Sequence, residues 1–512
     1  MDGRTVCLSL GRHWCVGLCG LGLSLLLGVP RPSSAVEAGL PEPIAAALRA
    51  AQLPTSALAL WVGPVHAGAP ALAEHQGLQA MNPASVMKLV TTYAALDLLG
   101  PDYRWQTPVW LTGPVQSGRL QGELVLQGQG DPTLVTERLW LMLRRVRGLG
   151  VQHIEGDIVL DRKRFAIPPQ DPADFDGEPL RAYNVRPDAL LINYGALALH
   201  FTPDTAAGVA HVHMEPPLAE VHIPRQLPLS APGTACGDWR SALRADFADA
   251  TQIRLTGSYP GTCGEKVWHL AYADPSRYAD RALRGMWFSL GGTLGGAVRE
   301  GSAPLRDPDL TLSSRPLAEV IRDINKFSNN VMAQQLFLTL GGSDALPGPN
   351  TAERARARLL RWWEAQGLSD FVFEPDNGAG LSRSARLSAR GLAQLLRQAY
   401  ASAWMPDLLA SLPIAGIDGT LRSQSAGAGR ARLKTGSLVD VLAIAGVVLD
   451  ASGQPLIVVA LINHPRAAQG RAVLSQVIDW TASLNTGGAT LAPYPAPSLR
   501  PPKPRRRKDQ IR

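Results

Sequence analysis

At 512 residues, 46% of them hydrophobic and 18% charged, the chain can bury more than one core and is no disordered polymer. Its formal net charge is +7, and part of that sits in the basic run 503–508, so the folded body is nearer neutral. That balance argues against a nucleic-acid partner, which needs a basic face or stripe.

The first segment reads as an address. Arg4 and Arg12 precede the apolar run 15–29, and Ser33, Ser34 and Ala35 supply small residues at a cleavage-like position. These are the three regions of a secretory signal over 1–35, and they predict a periplasmic protein. A membrane-anchoring helix is the alternative, but the run is shorter than the roughly 20 residues a span needs. Cys7, Cys15 and Cys19 fall inside the signal, leaving Cys236 and Cys263. In an oxidising compartment these two most simply form one disulfide, which would contribute about 3 kcal/mol. His269 is near in sequence, but no C-x-x-C or H-x-x-x-H pair accompanies it, so no metal is expected.

Beyond the signal, 37–51 has the pattern of a short amphipathic helix and 57–62 that of a strand. A helix is expected from about Met81 to Leu99, with Asn82 as its N-cap and Pro83 at its first position; Gly100-Pro101 stops it. From 103 to 301 short alternating segments, such as 124–126, 153–160 and 196–201, are punctuated by Gly, Pro and Asp, which predicts β-rich modules. Helical pattern returns at 316 and runs through Trp363. Strands are expected at 431–434, 442–449 and 456–462, then a helix at 470–484. The end, from Ala492, is Pro-rich and basic and has the composition of a disordered tail.

Lysine is scarce in this Arg-rich chain, with seven in all: Lys88, Lys163, Lys266, Lys326, Lys434, Lys503 and Lys508. An amine that must lose its proton cannot be replaced by guanidinium, so each lysine in the folded body is informative. Ser85 and Lys88 are three apart and share a helix face. Near a helix N-terminus the hydroxyl would stand beside free N–H groups, with a neutral Lys88 placed to take its proton. Ser328-Asn329-Asn330 lies in a helical region, and Lys434-Thr435-Gly436, followed by Ser437, ends a predicted strand. The second motif offers a hydroxyl for proton relay and an amide for a peptide group. The third offers a cationic strand edge for a carboxylate. Alone, each has a plain reading as cap, helix surface or turn.

In the order S-x-x-K, S-x-N, K-T-G the three form the signature of serine β-lactamases and penicillin-binding proteins. Within that group the chain resembles the class C low-molecular-mass penicillin-binding proteins, the D-alanyl-D-alanine carboxypeptidase/endopeptidases. The similar segments include GELVLQGQGDPTL (122–134), IEGDIVLDRKRF (154–165), SSRPLAEVIRDINKFSNNVMAQQL (313–336), DNGAGLSR (376–383), SLPIAGIDGTLR (411–422), ARLKTGSL (431–438) and LINHP (461–465). Far more chain separates Ser85 from Ser328 than one transpeptidase domain needs, as in that family.

The resemblance implies an α/β (α+β) serine β-lactamase/transpeptidase-like domain with a large β-rich insertion between its first and second motifs. The expected division is signal 1–35, first domain part 36–102, inserted β-rich accessory domains 103–300, second domain part 301–488 and basic tail 489–512. Ser85 would attack the penultimate D-Ala carbonyl with Lys88 as base, and Ser328 would relay a proton to the leaving amine. Asn330, Lys434, Thr435, Gly436 and Ser437 would bind substrate, with the backbone N–H groups of Ser85 and Ser437 as the oxyanion hole. In relatives an acidic residue of the insertion helps read the stem peptide's amine. Asp174 and Asp176 are the candidates here, Asp176 the preferred one; a solvated loop carboxylate is the plain alternative. The implied substrates are peptidoglycan peptides and cross-links, and the implied inhibitors are β-lactams; no cofactor is called for. The basic tail suits a peripheral contact with polyanionic membrane lipid or cell-wall polymer. One departure is visible: Ala379 stands where the family usually has serine. The rival readings are a class A-like β-lactamase, for which Glu364 falls in the zone of the glutamate base, and a non-catalytic peptidoglycan-binding scaffold.

Overall fold

The computed structural model describes residues 39–342 and 348–487. The expected signal with its three cysteines, and the basic tail, lie outside the described residues.

Strands β1 (Leu58–Pro64), β2 (Ala431–Leu438), β3 (Val441–Leu449) and β4 (Pro455–Asn463) join the short strand Ala73–His75 in one antiparallel sheet. Their order is Ala73–His75, β1, β4, β3, β2, so the first strand of the fold pairs with the last. β3 and β4 are almost continuously apolar because both faces of this sheet are covered. Alternate side chains go to opposite faces. Leu58, Leu60, Leu442, Ile444, Val458 and Ala460 pack with Ile44, Leu48, Val473 and Val477 of the helices Glu42–Ala50 and Arg471–Ser483. Ala59, Trp61, Ala443, Ala445, Val459 and Leu461 face a larger layer of helices. Each fully buried Leu, Ile or Val contributes about 1.5–3 kcal/mol, so the two cores hold the sheet from both sides.

The central element of the larger layer is helix α1 (Met87–Leu99), in which every residue from Met87 to Leu96 is buried. A helix apolar all round belongs inside a core. It does not begin at Pro83 as the sequence suggests. A single 3-10 turn, Ala84–Val86, precedes it, and Ala84 adopts a left-handed φ of 44°. Asn82 still acts at this start, its Oδ1 accepting from Ala84 N at 2.9 Å. Gly100, at φ 85°, ends the helix as expected.

The predicted helical stretch after 316 is three helices: α2 (Leu317–Lys326), α3 (Asn330–Leu340) and Thr351–Ala365. Ser328 sits in the break between α2 and α3 at φ 55°, and the Asn329 side chain caps α3 by accepting from Met332 N.

The insertion has its own core, drawn from residues between Val109 and Leu312. One mixed sheet runs Val298–Glu300, Ile158–Asp161, Leu124–Gln127, Gln106–Leu111, Leu310–Ser313. An antiparallel sheet runs Gln226–Pro228, Val209–Glu215, Ala196–Asp204, Lys266–Ala271. The β-rich expectation holds, but two helices, Thr136–Gly148 and Pro275–Ser289, also pack here. Leu139, Met142, Leu143 and Val146, at helical spacing, form the buried stripe of the first. The segment 153–160 is two strands in different sheets, His153–Ile154 and Ile158–Asp161. Cys236 and Cys263 are disulfide-bonded, with Cα atoms 4.7 Å apart. Among the described residues no helix is long and apolar enough to cross a membrane, and no cluster of His, Cys, Asp or Glu is arranged to hold a metal ion.

Candidate active site

The three motifs, distant in sequence, converge where α1, the α2–α3 break and strand β2 meet. Ser85 lies half-buried in the 3-10 turn, and Lys88, one turn on, is fully buried. Lys88 Nζ stands 2.9 Å from Ser85 Oγ, 2.6 Å from Asn330 Oδ1 and 2.6 Å from the carbonyl of Ala379. Burial, with the positive charge of Lys434 nearby, holds the Lys88 pKa well below the ordinary lysine value. A neutral amine in this position keeps two N–H groups for the two carbonyl-type oxygens. Its lone pair is then left for the Ser85 hydroxyl. The geometry suits abstraction of the Oγ proton.

Lys434 is also fully buried, within β2, which continues through the K-T-G motif to Leu438 instead of ending there. Its Nζ donates to Ser328 Oγ at 2.8 Å and to the Thr435 carbonyl at 2.6 Å, and burial lowers its pKa to about 7. Ser328 thus lies on one wall with Lys434 behind it, facing Ser85 and Lys88. Thr435 is half-buried and Ser437 exposed on the same strand edge. Gly436 is what lets this edge come close to Ser85. A Cβ there would stand 2.8 Å from the Pro83 carbonyl and 3.1 Å from Ser85 N.

The segment 376–383 packs against the Ser85 turn and Lys88 from the other side. Gly378 and Gly380 have φ of 70° and 76°, and Thr91 Oγ1 donates to the Gly378 carbonyl at 2.7 Å. Ala379 packs its methyl fully in the core and gives its carbonyl to Lys88. The contact with Lys88 comes from the main chain, so the alanine in place of serine leaves it intact.

An open cleft of about 960 Å³ starts at Ser85, Ser328 and Asn330 and extends along the insertion, past Tyr183, Tyr194 and His200. Asp176 reaches this cleft only through a partner. It is exposed, and it accepts from Tyr183 Oη at 2.9 Å and Asn184 Nδ2 at 2.7 Å. Partial burial alone would raise its pKa, but those two bonds, with one from Glu178 N, hold it below the usual carboxylate value. Asp174 turns back to accept from Asp171 N at 3.0 Å and lines a neighbouring pocket with Phe175 and Arg383. Glu364 points out from the exposed face of the helix Thr351–Ala365. Three groups beside the motifs were not assigned a place there by the sequence: the Ala379 carbonyl, Tyr183, and Thr420, whose Oγ1 lies 2.8 Å from that of Thr435.

The family model of the D-Ala-D-Ala carboxypeptidase 3 (S13) family matches residues 40–484. The D-alanyl-D-alanine carboxypeptidase of Actinomadura sp. (strain R39) is 29% identical over 407 residues, which are 75% of this chain and 73% of that one. D-alanyl-D-alanine carboxypeptidase DacB of Haemophilus influenzae is 24% identical over 409 residues, 77% of this chain and 82% of that one. The crystal structure of penicillin binding protein 4 (dacB) from Haemophilus influenzae superposes with a TM-score of 0.66 at 22% identity, over 85% of this chain and 97% of that chain, a likeness of fold. With the family matched across both cores and the insertion between them, the chain belongs to the D-Ala-D-Ala carboxypeptidase 3 (S13) family and is a serine-type D-Ala-D-Ala carboxypeptidase of the penicillin-binding proteins.

Proposed function

We propose that Ser85 is the acylated nucleophile and that its chemistry runs through two of the buried lysines, Lys88 as base and Lys434 as the cation beside Ser328. The observation that carries this is Lys88 Nζ, fully buried, lowered in pKa and 2.9 Å from Ser85 Oγ. Neutral Lys88 takes the Oγ proton as Oγ bonds to the carbonyl carbon of the penultimate D-Ala. The oxyanion is held by the backbone N–H groups of Ser85 and Ser437. The C–N bond then breaks, and its nitrogen receives the proton that Lys88 took, relayed through Ser328, whose Oγ is held 2.8 Å from Lys434 Nζ, so that Lys88 is neutral again. Free D-Ala leaves. Water gives a proton to Lys88 and attacks the ester carbon, and Ser85 regains its proton as the peptide departs.

Lys434 and Thr435 hold the terminal carboxylate, Gly436 lets the strand edge come close, and Asn330 receives the peptide's amide. The same steps cut a cross-link, because its leaving amine also sits beside a carboxylate; endopeptidase activity on peptidoglycan belongs to this reading. Asp176, acting through Tyr183, contributes to reading the stem peptide. β-Lactams acylate Ser85 with a leaving group that stays tethered. A structure of the Haemophilus influenzae penicillin binding protein 4 complexed with a β-lactam supports this by analogy of fold. Export to the periplasm, and a wall or membrane contact through the basic tail, complete the proposal.

The test is intact mass of the protein over time with benzylpenicillin, wild type beside Ser85→Ala. A persistent adduct on wild type alone is expected. Fast drug hydrolysis without lasting adduct would point to a β-lactamase, and neither adduct nor hydrolysis to a scaffold.

A further inference from the structure

The loop 413–422 lies beside the motifs and takes no part in the chemistry described so far. It is fastened to strand β2 by Leu433 N donating to the Pro413 carbonyl at 3.1 Å and Ala415 N to the Ala431 carbonyl at 3.0 Å. Its other attachment is to the end of α2. Lys326, only 3% exposed, forms an ion pair with Asp418, whose second carboxylate oxygen accepts from Ile414 N at 2.8 Å. Gly419, at φ 56°, packs so tightly on this junction that a Cβ would stand 2.5 Å from the Lys326 carbonyl. The next residue is Thr420, exposed, with its hydroxyl on that of Thr435. Lys326 is also two residues before Ser328. The Lys326–Asp418 ion pair thus ties the segment that leads to Ser328 to the one that leads to Thr420; Ser328 meets Lys434, and Thr420 meets the neighbouring Thr435.

We infer that Thr420 is a further substrate-binding residue, a hydroxyl that joins Lys434 and Thr435 around the substrate's terminal carboxylate, and that Lys326 and Asp418 are positioning residues that hold it there. The chemistry fits. Two hydroxyls that share one hydrogen bond leave one O–H uncommitted. Lys434 already spends N–H groups on Ser328 and on the Thr435 carbonyl. A two-oxygen anion seated here has more acceptor sites than Lys434 and Thr435 can fill, and Thr420 supplies the missing donor. The inference rests on the proposed role of Ser85 and goes beyond it by adding a residue that selects for carboxylate.

The experiment uses the full chain and two acyl-D-alanyl thioesters that differ only in the leaving group: thioglycolate, which carries a carboxylate, and its methyl ester, which does not. Thr420→Val is expected to lower kcat/KM for the carboxylated substrate about tenfold or more, mostly through KM, since it removes a hydrogen bond to a charged group. The methyl ester should be turned over as by wild type. Thr420→Ser, which keeps the hydroxyl, should restore the wild-type ratio, and Asp418→Asn should show the same selective loss as Thr420→Val. Equal loss on both substrates, or no loss on either, overturns the role of Thr420, and an unselective Asp418→Asn overturns the clamp. A wild type inert to both thioesters and to benzylpenicillin brings down the Ser85 reading instead, which separates the two failures. Thr420 is exposed, so its variants keep the test decisive even where Asp418→Asn does not fold.

Discussion

Gly380→Ala should disable the enzyme without touching a reacting atom. Gly380 has φ 76°, a conformation that costs an L-residue about 1–2 kcal/mol. Its missing Cβ is also where the Ala84 carbonyl lies, with Ser85 N only 3.0 Å away. Both obstacles are main chain and cannot rotate aside, so overpacking adds about 1–3 kcal/mol. The total of about 2–5 kcal/mol is relieved only by movement. If segment 376–383 retreats, Lys88 loses the Ala379 carbonyl that holds it at 2.6 Å. If the 3-10 turn retreats, Ser85 leaves Lys88. A displacement near 1 Å costs on the order of 100-fold in rate. The assay is the second-order rate of acylation by a fluorescent penicillin, with a thermal melt beside it. Gly429→Ala is the control: its φ is 72° but a Cβ there meets open space, so it pays the dihedral cost alone and should acylate normally. A folded Gly380→Ala protein acylating at the wild-type rate would show that the close approach does not position the nucleophile.

The pH profile should report Lys434. Lys434, with a pKa of about 7, must carry its proton to hold a carboxylate. So kcat/KM on a peptide ending in D-Ala-D-Ala should fall as pH rises through about 7. On the methyl-ester thioester that descending limb should vanish; a limb that persists there would assign it to another group. Asp450 governs stability in acid. Its carboxylate is fully buried, which would raise its pKa, yet it accepts from Thr486 Oγ1 at 2.6 Å and N at 2.7 Å, from Ser452 Oγ at 2.7 Å and from Gln454 N at 2.8 Å. These bonds hold its pKa far below the usual value. A depressed carboxylate stabilises above the unfolded value, near pH 4, and loses that contribution as pH falls through its folded pKa. Asp450→Asn should therefore cost about 1.5–3 kcal/mol in denaturant melts at pH 7, and the gap from wild type should narrow in acid. A gap independent of pH would mean that charge is not the source.

The motif residues were legible because their chemistry demands particular side chains at fixed spacing. Ser85 and Lys88 lie one turn apart, on the 3-10 turn and the helix it leads into, and Lys434 stands on a strand, so motif spacing and periodicity located both. What surrounds them was less legible. The Ala379 carbonyl is main chain, which any residue would supply, and only the flanking glycines at positive φ hint at it. Thr420 reaches Thr435 through a loop whose shape depends on Lys326, almost a hundred residues earlier. Ser328 read as helical because Leu317–Lys326 and Asn330–Leu340 flank it closely. The break depends on a left-handed residue that is not glycine, for which sequence offers no marker. The segment 153–160 read as one strand because its alternation is unbroken. Gly156 lies so close to the neighbouring chain that a Cβ would stand 2.8 Å from the Gly122 carbonyl, and the backbone passes there from one sheet to another. In the insertion, the stripe Leu139, Met142, Leu143, Val146 was visible in principle but was overshadowed by the turn-rich texture around it.

The pairing of β1 with β4 also sets a timetable. Leu58 lies opposite Ile462, and Asn82, which starts the turn that carries Ser85, donates its N–H to Asn463 Oδ1 at 2.7 Å. A chain growing from its N-terminus holds Ser85 and Lys88 early but lacks these partners until almost everything else has been made. The insertion draws its core from residues 109–312 and waits for nothing later. Contacts between such distant residues form slowly because the intervening chain must first be brought together. The order of synthesis thus acts as a safety catch: an unfinished chain carries a serine and a lysine but no assembled site.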